Sequence, residues 1–270
     1  MQYLKQNIVL LFSILYLALP FAAAQEKGKT EPEKKTSENV EKPFANKIFN
    51  FQFSYTYNEP GGDLLKRFGA FHGAGGGILF KTKRNFVYAA DATYYFGETM
   101  KENSIFFNLT NSSGFITNTG GFPAELTVNM RGLAFSGKVG KVFPLSPFNL
   151  NSGIIVMFGA GMFAHHISIY TQRNDVAPLT EDMKKGYDRL TRGPGLHQTI
   201  GYYFHSKNRF INFYAGFDFT QAFTQSVRGY NYDTRLPDTA QRTDLLWSFK
   251  FGWMIPMYLT IKEEKEFYYR

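Results

Sequence analysis

No cysteine occurs in the 270 residues of this chain. A disulfide framework, a cysteine-based metal site and a lipid anchor on a cysteine after a leader are all excluded. Long apolar runs are missing as well. Beyond residue 24 the longest unbroken one is Gly153 to Ala164, well below the roughly 18 residues that a spanning helix requires. A chain that crosses a bilayer without spanning helices must do so as a closed β-barrel, because lipid offers no hydrogen-bond partners to an open sheet edge. Tryptophan is rare, at 2 residues, whereas phenylalanine and tyrosine number 29 and 17. That aromatic excess suits lipid-facing bands and interfacial girdles on a barrel. The slightly negative mean hydropathy of −0.27 agrees, since half of each barrel strand is polar.

The first 24 residues read as an export leader. Lys5 starts it, an apolar run spans Ile8 to Phe21, and Ala22-Ala23-Ala24 supplies a small-residue cleavage pattern before Gln25. An uncleaved anchor is the alternative. Export without cysteine suits a bacterial envelope better than a eukaryotic secretory route. The formal net charge is +8, one unit of which leaves with Lys5. A basic surface raises nucleic acid as a partner, but export and the lack of a basic-aromatic cluster argue against it. The lipid and lipopolysaccharide phosphates of an outer membrane are the better match for positive loops. Residues 25–47 form a separate region. Six lysines and five glutamates fall between Glu26 and Lys47, with almost nothing apolar before Phe44. Such a segment buries too little surface to offset its ordering entropy, so it is expected to be a flexible periplasmic arm, either a spacer or a partner-binding element.

From residue 48 the pattern changes. Residues 49–57 read Phe-Asn-Phe-Gln-Phe-Ser-Tyr-Thr-Tyr, aromatic at every odd position and small or polar at every even one. Successive strand side chains point to opposite faces, so this segment has one aromatic face and one polar face. The pattern returns near the other end, where Leu245, Trp247, Phe249, Phe251, Trp253 and Ile255 share one face and Ser248, Lys250 and Gly252 the other. Strands are expected at about 48–57, 70–80, 85–97, 130–142, 152–168, 195–205, 209–221 and 243–257. Parity places Phe86, Tyr88, Tyr94, Leu133, Phe135, Ile200, Phe213 and Phe217 outward. It places Asp91, Thr93, Tyr95, Lys138, Asn212, Tyr214 and Asp218 inward. The strand at 152–168 is apolar on both faces, so its register is open. A soluble β-sandwich with an aromatic core is the alternative to a barrel.

The connections alternate in length. Residues 81–84 and 206–208 are short and 143–151 are intermediate, whereas 58–69, 98–129, 170–194 and 222–242 are long. Short periplasmic turns opposite long external loops mark an outer-membrane barrel, and an even strand count returns both ends of the chain to the periplasm. On these features the chain resembles the small eight-stranded outer-membrane barrels of the OmpX-like and OmpW-like kind. The resemblance is architectural and covers 48–258. Gly252-Trp253-Met254-Ile255-Pro256-Met257-Tyr258, followed by Phe267-Tyr268-Tyr269, is similar to the ends of Bacteroidota outer-membrane barrels. Those barrels end on the aromatic of the last strand, whereas this chain continues through a tail at 259–270. The expectation is therefore all-β: a transmembrane, up-and-down antiparallel β-barrel of eight strands.

Four constellations could carry chemistry. Gly73, Gly75, Gly76 and Gly77 precede Lys81-Thr82, but Phe80 stands before the lysine and Ile78 where a dinucleotide fingerprint needs its third glycine. Bending or close packing of a barrel strand is the better reading. Asp91, Lys138, Asp218 and Lys250 face a lumen too narrow for an aqueous pore, so they are expected to pair as an interior charge network, with Tyr95, Tyr214 and Ser248 able to hydrogen-bond to it. His166-Ile167-Ser168 is similar to the His-x-Ser fragment of a lipid A deacylase family, which implies a base and a nucleophile. No orienting acid accompanies them at recognisable spacing, although Asp175 and Glu181 lie in the next loop. His72, His197 and His205 lack metal-ligand spacing, although His197 could approach His165 across adjacent strands. No cofactor is expected. The long loops at 98–129 and 170–194 are where recognition on a rigid barrel usually resides. The sequence thus points to a non-enzymatic outer-membrane barrel with a structural or interaction role, either in an envelope protein complex or as a loop-presenting surface protein. A lipid-modifying hydrolase and a narrow barrel for small hydrophobic compounds are the alternatives.

Overall fold

The computed structural model describes residues 45–171, 176–206 and 210–258. The leader at 1–24, nearly all of the arm at 25–47 and the tail at 259–270 lie outside them. Eight long antiparallel strands close into a barrel: β1 Ile48–Gly62, β2 Phe71–Lys81, β3 Phe86–Gly97, β4 Leu126–Pro144, β5 Gly153–Thr171, β6 Thr191–His205, β7 Asn212–Ser226 and β10 Gln241–Tyr258. A two-residue ribbon, β8 Tyr230–Asn231 with β9 Leu236–Pro237, decorates the connection between β7 and β10. Each strand pairs with its sequence neighbour, and β1 closes against β10 from Ile48↔Tyr258 to Gly62↔Asp244. Ile48 and Tyr258 therefore lie at the same end of the barrel, hereafter the terminal end. The opposite end carries the long connections and is the loop end.

The strands arise where the alternation put them. Phe51, Phe53, Tyr55 and Tyr57 face outward while Asn50, Gln52, Thr56 and Asn58 are buried. The same parity holds on β3, β6, β7 and β10. Outward rings pair across strands: Phe219 with Trp247 at 4.2 Å, Phe217 with Phe249 at 5.5 Å and Phe53 with Trp253 at 6.5 Å between ring centres. Each pair is a registered neighbour, the arrangement in which cross-strand aromatics stabilise a sheet. The exterior is thus an apolar belt suited to lipid. On β5 the open register resolves with odd residues inward, so Ile155, Met157, Phe163, His165, Ile167 and Ile169 are buried.

Strands run further toward the loop end than the alternation predicts. β1 continues to Gly62, β4 starts at Leu126 and β6 at Thr191. The extra residues hydrogen-bond to neighbours above the apolar belt, where no inside-outside alternation is required. The terminal-end turns are short. In the first, Thr82 Oγ1 accepts the Phe86 N–H at 3.0 Å and Asn85 takes a left-handed φ of 62°, a conformation asparagine tolerates. The last residues before β1 are pinned to this end: the Asn46 N–H donates to Asn151 Oδ1 at 2.9 Å.

The interior is layered from the terminal end to the loop end. Toward the terminal end, Leu79, Val87, Ala89, Val142, Ile155, Met157, Tyr203, Tyr214 and Met254 form an apolar cluster. Asp91, Lys138, Asp218 and Lys250 follow as a charged waist. Above it Tyr95, Met130, Ala134, Phe163, Ile167, Ala222 and Leu246 form a second apolar cluster. The loops join that cluster through Leu64, Phe68, Ile105, Ile116, Val176, Leu179 and Tyr187.

Candidate functional site

The waist is built from four strands. Lys138 on β4 places Nζ 3.0 Å from Asp218 Oδ2 on β7 and 3.4 Å from Asp91 Oδ2 on β3. Lys250 on β10 lies 3.5 Å from Asp91 Oδ1. Tyr214 donates its hydroxyl to Asp218 at 3.1 Å, and Gln52 on β1 donates its amide to Asp91. Two lysines face two aspartates, so the layer is charge-balanced. Its side chains are at most 12% exposed. Buried ions cost several kcal/mol each in desolvation, which only close mutual pairing offsets. Of the expected hydrogen-bonding neighbours, Tyr214 joins the ions. Ser248 turns instead to Asn58 Oδ1 at 2.7 Å, and Tyr95 packs edge-on between Phe71 and Phe163.

Glycine makes the waist possible. A Cβ added at Gly77 would stand 2.9 Å from Asp91 Oδ1, and one at Gly159 would stand 2.8 Å from Lys138 Cγ. Gly77 of β2 and Gly159 of β5 thus leave room for the ions, whereas Gly73 and Gly75 leave room for Thr56, Thr93 and Tyr95. The cavity left at this level is only about 20 Å³, room for about one water. His197, Thr220 and Ser136 also line it. His197 pairs in register with Gly159, six residues from His165 along β5. The two histidines are therefore not neighbours, because strand register rather than strand adjacency sets their separation. Among the described residues no three metal-ligating side chains cluster.

At the loop end, sequence reading missed a buried clasp. His165 Nε2 on β5 lies 3.0 Å from Asp244 Oδ2 on β10, and Thr224 on β7 donates its hydroxyl to the same oxygen at 2.6 Å. Both ionisable side chains are 1% exposed. Phe68 and Phe163 pack their rings against the imidazole at 5.5 and 5.3 Å. The carboxylate sits between hydroxyl and imidazole. A nucleophile-base-acid order would put the imidazole in the middle, so this trio joins strands rather than activating a hydroxyl. The inward parity of Asp244 was its one sequence signal.

His166 and Ser168 point the other way, on the outward face of β5, in register with Arg131 and Asn129 of β4. Among the described residues no hydrogen bond joins them. Glu181 is occupied by Lys184 at 3.1 Å, and Asp175 lies outside the described residues. Asp188 borders this stretch, its backbone carbonyl accepting the Ile167 N–H at 2.7 Å. Its carboxylate is held by Arg228 through contacts of 2.6 to 3.3 Å. That hydrogen bond raises the Arg228 pKa.

The loops bind one another by charge over their apolar core. Arg189 lies 2.6 Å from Asp233 and 3.1 Å from Glu102, Arg67 Nε lies 3.4 Å from Glu102, and Arg242 holds Asp238 at 2.6 Å. Arg67 also donates to Thr191 Oγ1 at 2.8 Å. Burial, then the nearby Arg242 charge, lowers the Arg67 pKa, yet a guanidinium remains protonated near neutral pH. Apart from Arg242 with Asp238, four residues apart in the chain, these pairings join different loops that share no repeating pattern, so sequence could not show them.

Comparison with known proteins is sparse at the level of sequence: no family model matches the chain, and no curated protein matches it. Among solved structures it is similar to the neisserial surface protein NspA, at 10% identity and a TM-score of 0.40 over 77% of this chain and 96% of that one. It is similar to Ail, the attachment invasion locus protein of Yersinia pestis, at 8% identity and a TM-score of 0.42 over 78% of this chain and 100% of that one. OprG of Pseudomonas aeruginosa aligns at 10% identity with a TM-score of 0.37, over 78% and 97% respectively. The likenesses are distant, and the architecture above rests on this chain's own strand pairing and surface.

Proposed function

We propose that this protein is an outer-membrane barrel whose role is structural or interactive: a closed, rigid mount that holds folded loops outside the cell, with arm and tail in the periplasm. The observation that carries the reading is the filled interior. A charged waist with a cavity of about 20 Å³ lies between two apolar clusters, the upper one continuous with the loops. Eight strands leave room for side chains rather than for a channel, so what distinguishes the molecule lies at its ends. Membrane lipid and lipopolysaccharide are the immediate surroundings of the belt. Catalysis is not part of this reading, because among the described residues no hydrogen bond joins His166 to Ser168 and the Asp188 carboxylate is taken up by Arg228.

The absence of cysteine makes the test direct. Ser112→Cys provides a unique thiol on the 98–125 loop. A membrane-impermeant maleimide should label it in intact cells, and planar bilayers should show no porin-sized steps. Labelling only after the outer membrane is breached, or large stable conductance, overturns the proposal. Membership of an envelope complex is a companion reading. Exposed Leu145 and Phe148 on the terminal-end turn favour it, and identifying what co-migrates in mild detergent tests it.

A further inference from the structure

The loop between β3 and β4 contains a structural repeat. Asn111-Ser112-Ser113-Gly114-Phe115 and Asn118-Thr119-Gly120-Gly121-Phe122 share the pattern Asn-x-x-Gly-Phe seven residues apart. They also share one geometry. In each, the asparagine Oδ1 accepts the backbone N–H groups two and four residues on, at 2.9 and 3.0 Å from Asn111 and at 3.0 and 2.9 Å from Asn118. The asparagine N–H donates to the phenylalanine carbonyl, at 2.9 and 2.8 Å. The last glycine before the ring, Gly114 or Gly121, has φ of 82° with open space around it. The second turn is braced by the Thr117↔Pro123 bridge, and Ile116 anchors the pair by inserting into the loop-end core.

These braced turns hold aromatic rings out in solvent. Phe115 is 56% exposed and Phe122 is 70%. The hydrogen bonding holds both rings in place and removes much of the entropy a flexible loop would lose on binding. The chemistry around the rings is neutral. No charged residue occurs from Asn103 to Ala124, whereas the neighbouring loops are rich in charges that largely pair among themselves. A loop without lysine or arginine offers no attraction to anionic headgroups or sulfated chains. Among the described residues no ring contact joins Phe115 to Phe122, so they form separate platforms rather than the contiguous patch of a standard protein interface, about 800 Å² per partner. Separate rings set among Asn, Ser and Thr side chains suit a ligand with C–H faces for the negative face of an aromatic ring and hydroxyls for the amides.

The geometry points to a binding site for neutral polysaccharide on the tandem Asn-x-x-Gly-Phe turns, with Phe115 and Phe122 as stacking platforms. This rests on the reading of the loop end as the external face. The thiol-labelling experiment tests that reading in cells, and the experiment below uses purified protein, so either can fail alone.

The full-length protein in detergent micelles is passed over immobilised dextran, laminarin, mannan and amylopectin. Heparin and phosphatidylcholine vesicles serve as the charged and lipid probes. Saturable binding to at least one neutral polysaccharide, unaffected by about 0.5 M NaCl, which screens exposed charge pairs, is expected. Phe115→Ala with Phe122→Ala should weaken it by roughly tenfold or more, as loss of aromatic anchors does. Phe148→Ala, an exposed ring at the opposite end, should leave it unchanged. Gly114→Ala with Gly121→Ala keeps both rings but strains both turns, and should weaken binding too. Unshifted heat-modifiability on gels shows that each variant is folded. Failure to bind any of the four polysaccharides overturns the proposal. So do binding confined to heparin and lost in salt, ring-dependent binding to the vesicles alone, and equal binding by the double phenylalanine variant. Wild-type affinity in the glycine variant overturns the claim that the turns are preorganised.

Discussion

The charged waist and the loop-end cap fill the same lumen by opposite means. At the waist, Lys138, Asp218, Asp91 and Lys250 are within 3.0 to 3.5 Å of their partners and arise from four strands of the wall itself. At the cap, Leu64, Phe68, Ile105, Ile116, Leu179 and Tyr187 come from the connections and pack onto wall residues such as Met130 and Phe163. The waist is specific and intolerant: each ion is tolerable only because a particular partner is present, so one deletion exposes the full desolvation cost of another. The cap is additive and non-directional, and each apolar side chain contributes roughly its own burial. The strands cannot open without unpairing a closed ladder, whereas loops can loosen locally while the wall persists.

The largest expected effect tests the coupling at the waist. Lys138→Met should cost about 3–5 kcal/mol, because it leaves Asp218 without a buried cation. Lys138→Met with Asp218→Asn should recover most of that loss, because Asp91 and Lys250 then balance each other. Urea unfolding in detergent reads both, and equal cost for the single and double variants would mean that the ions are not coupled. Phe68→Ala at the cap should cost about 3–5 kcal/mol by cavity formation, but locally. Hydrogen exchange should rise across 98–125 while the barrel's unfolding midpoint moves little. A midpoint shift as large as that of Lys138→Met would erase the distinction between the two regions.

Outside the lumen, Phe217→Lys should cost about 2–4 kcal/mol, the penalty for lysine facing mid-bilayer. Phe217 is 64% exposed beside Asp218, so a lysine tolerated there would place the apolar belt elsewhere. Replacing 103–124 by a short glycine-serine link should leave conductance below porin size, because the waist closes the lumen unaided. Large steps in a planar bilayer would assign the seal to the cap. The smallest effect belongs to His166→Ala, which should alter neither stability nor lipid A acylation as read by mass spectrometry. A changed acylation pattern would restore the hydrolase alternative.

The sequence by itself determined which side of the wall nearly every strand residue faces. Strand side chains alternate with period two, and a bilayer outside with a packed lumen inside demands opposite chemistry on the two faces. Phe49 to Tyr57 and Leu245 to Ile255 carry that demand in plain form, and the eight segments and their short and long connections follow from it. Local pattern was silent where the demand lapses. β5 is apolar on both faces because its inner face meets the two apolar clusters, and β1, β4 and β6 outrun their predicted ends above the belt.

Which inward groups meet was decided by the tertiary structure. Lys138 and Asp218 are 80 residues apart, as are His165 and Asp244 at 79. Their contact depends on barrel closure and on a register that a one-residue slip would invert. The same register left Ser248 with Asn58 and kept His197 away from His165. The cap lies still further from sequence. Arg67, Glu102, Arg189 and Asp233 come from four connections that share no periodicity, and they assemble only because a closed wall brings the loop ends to one rim.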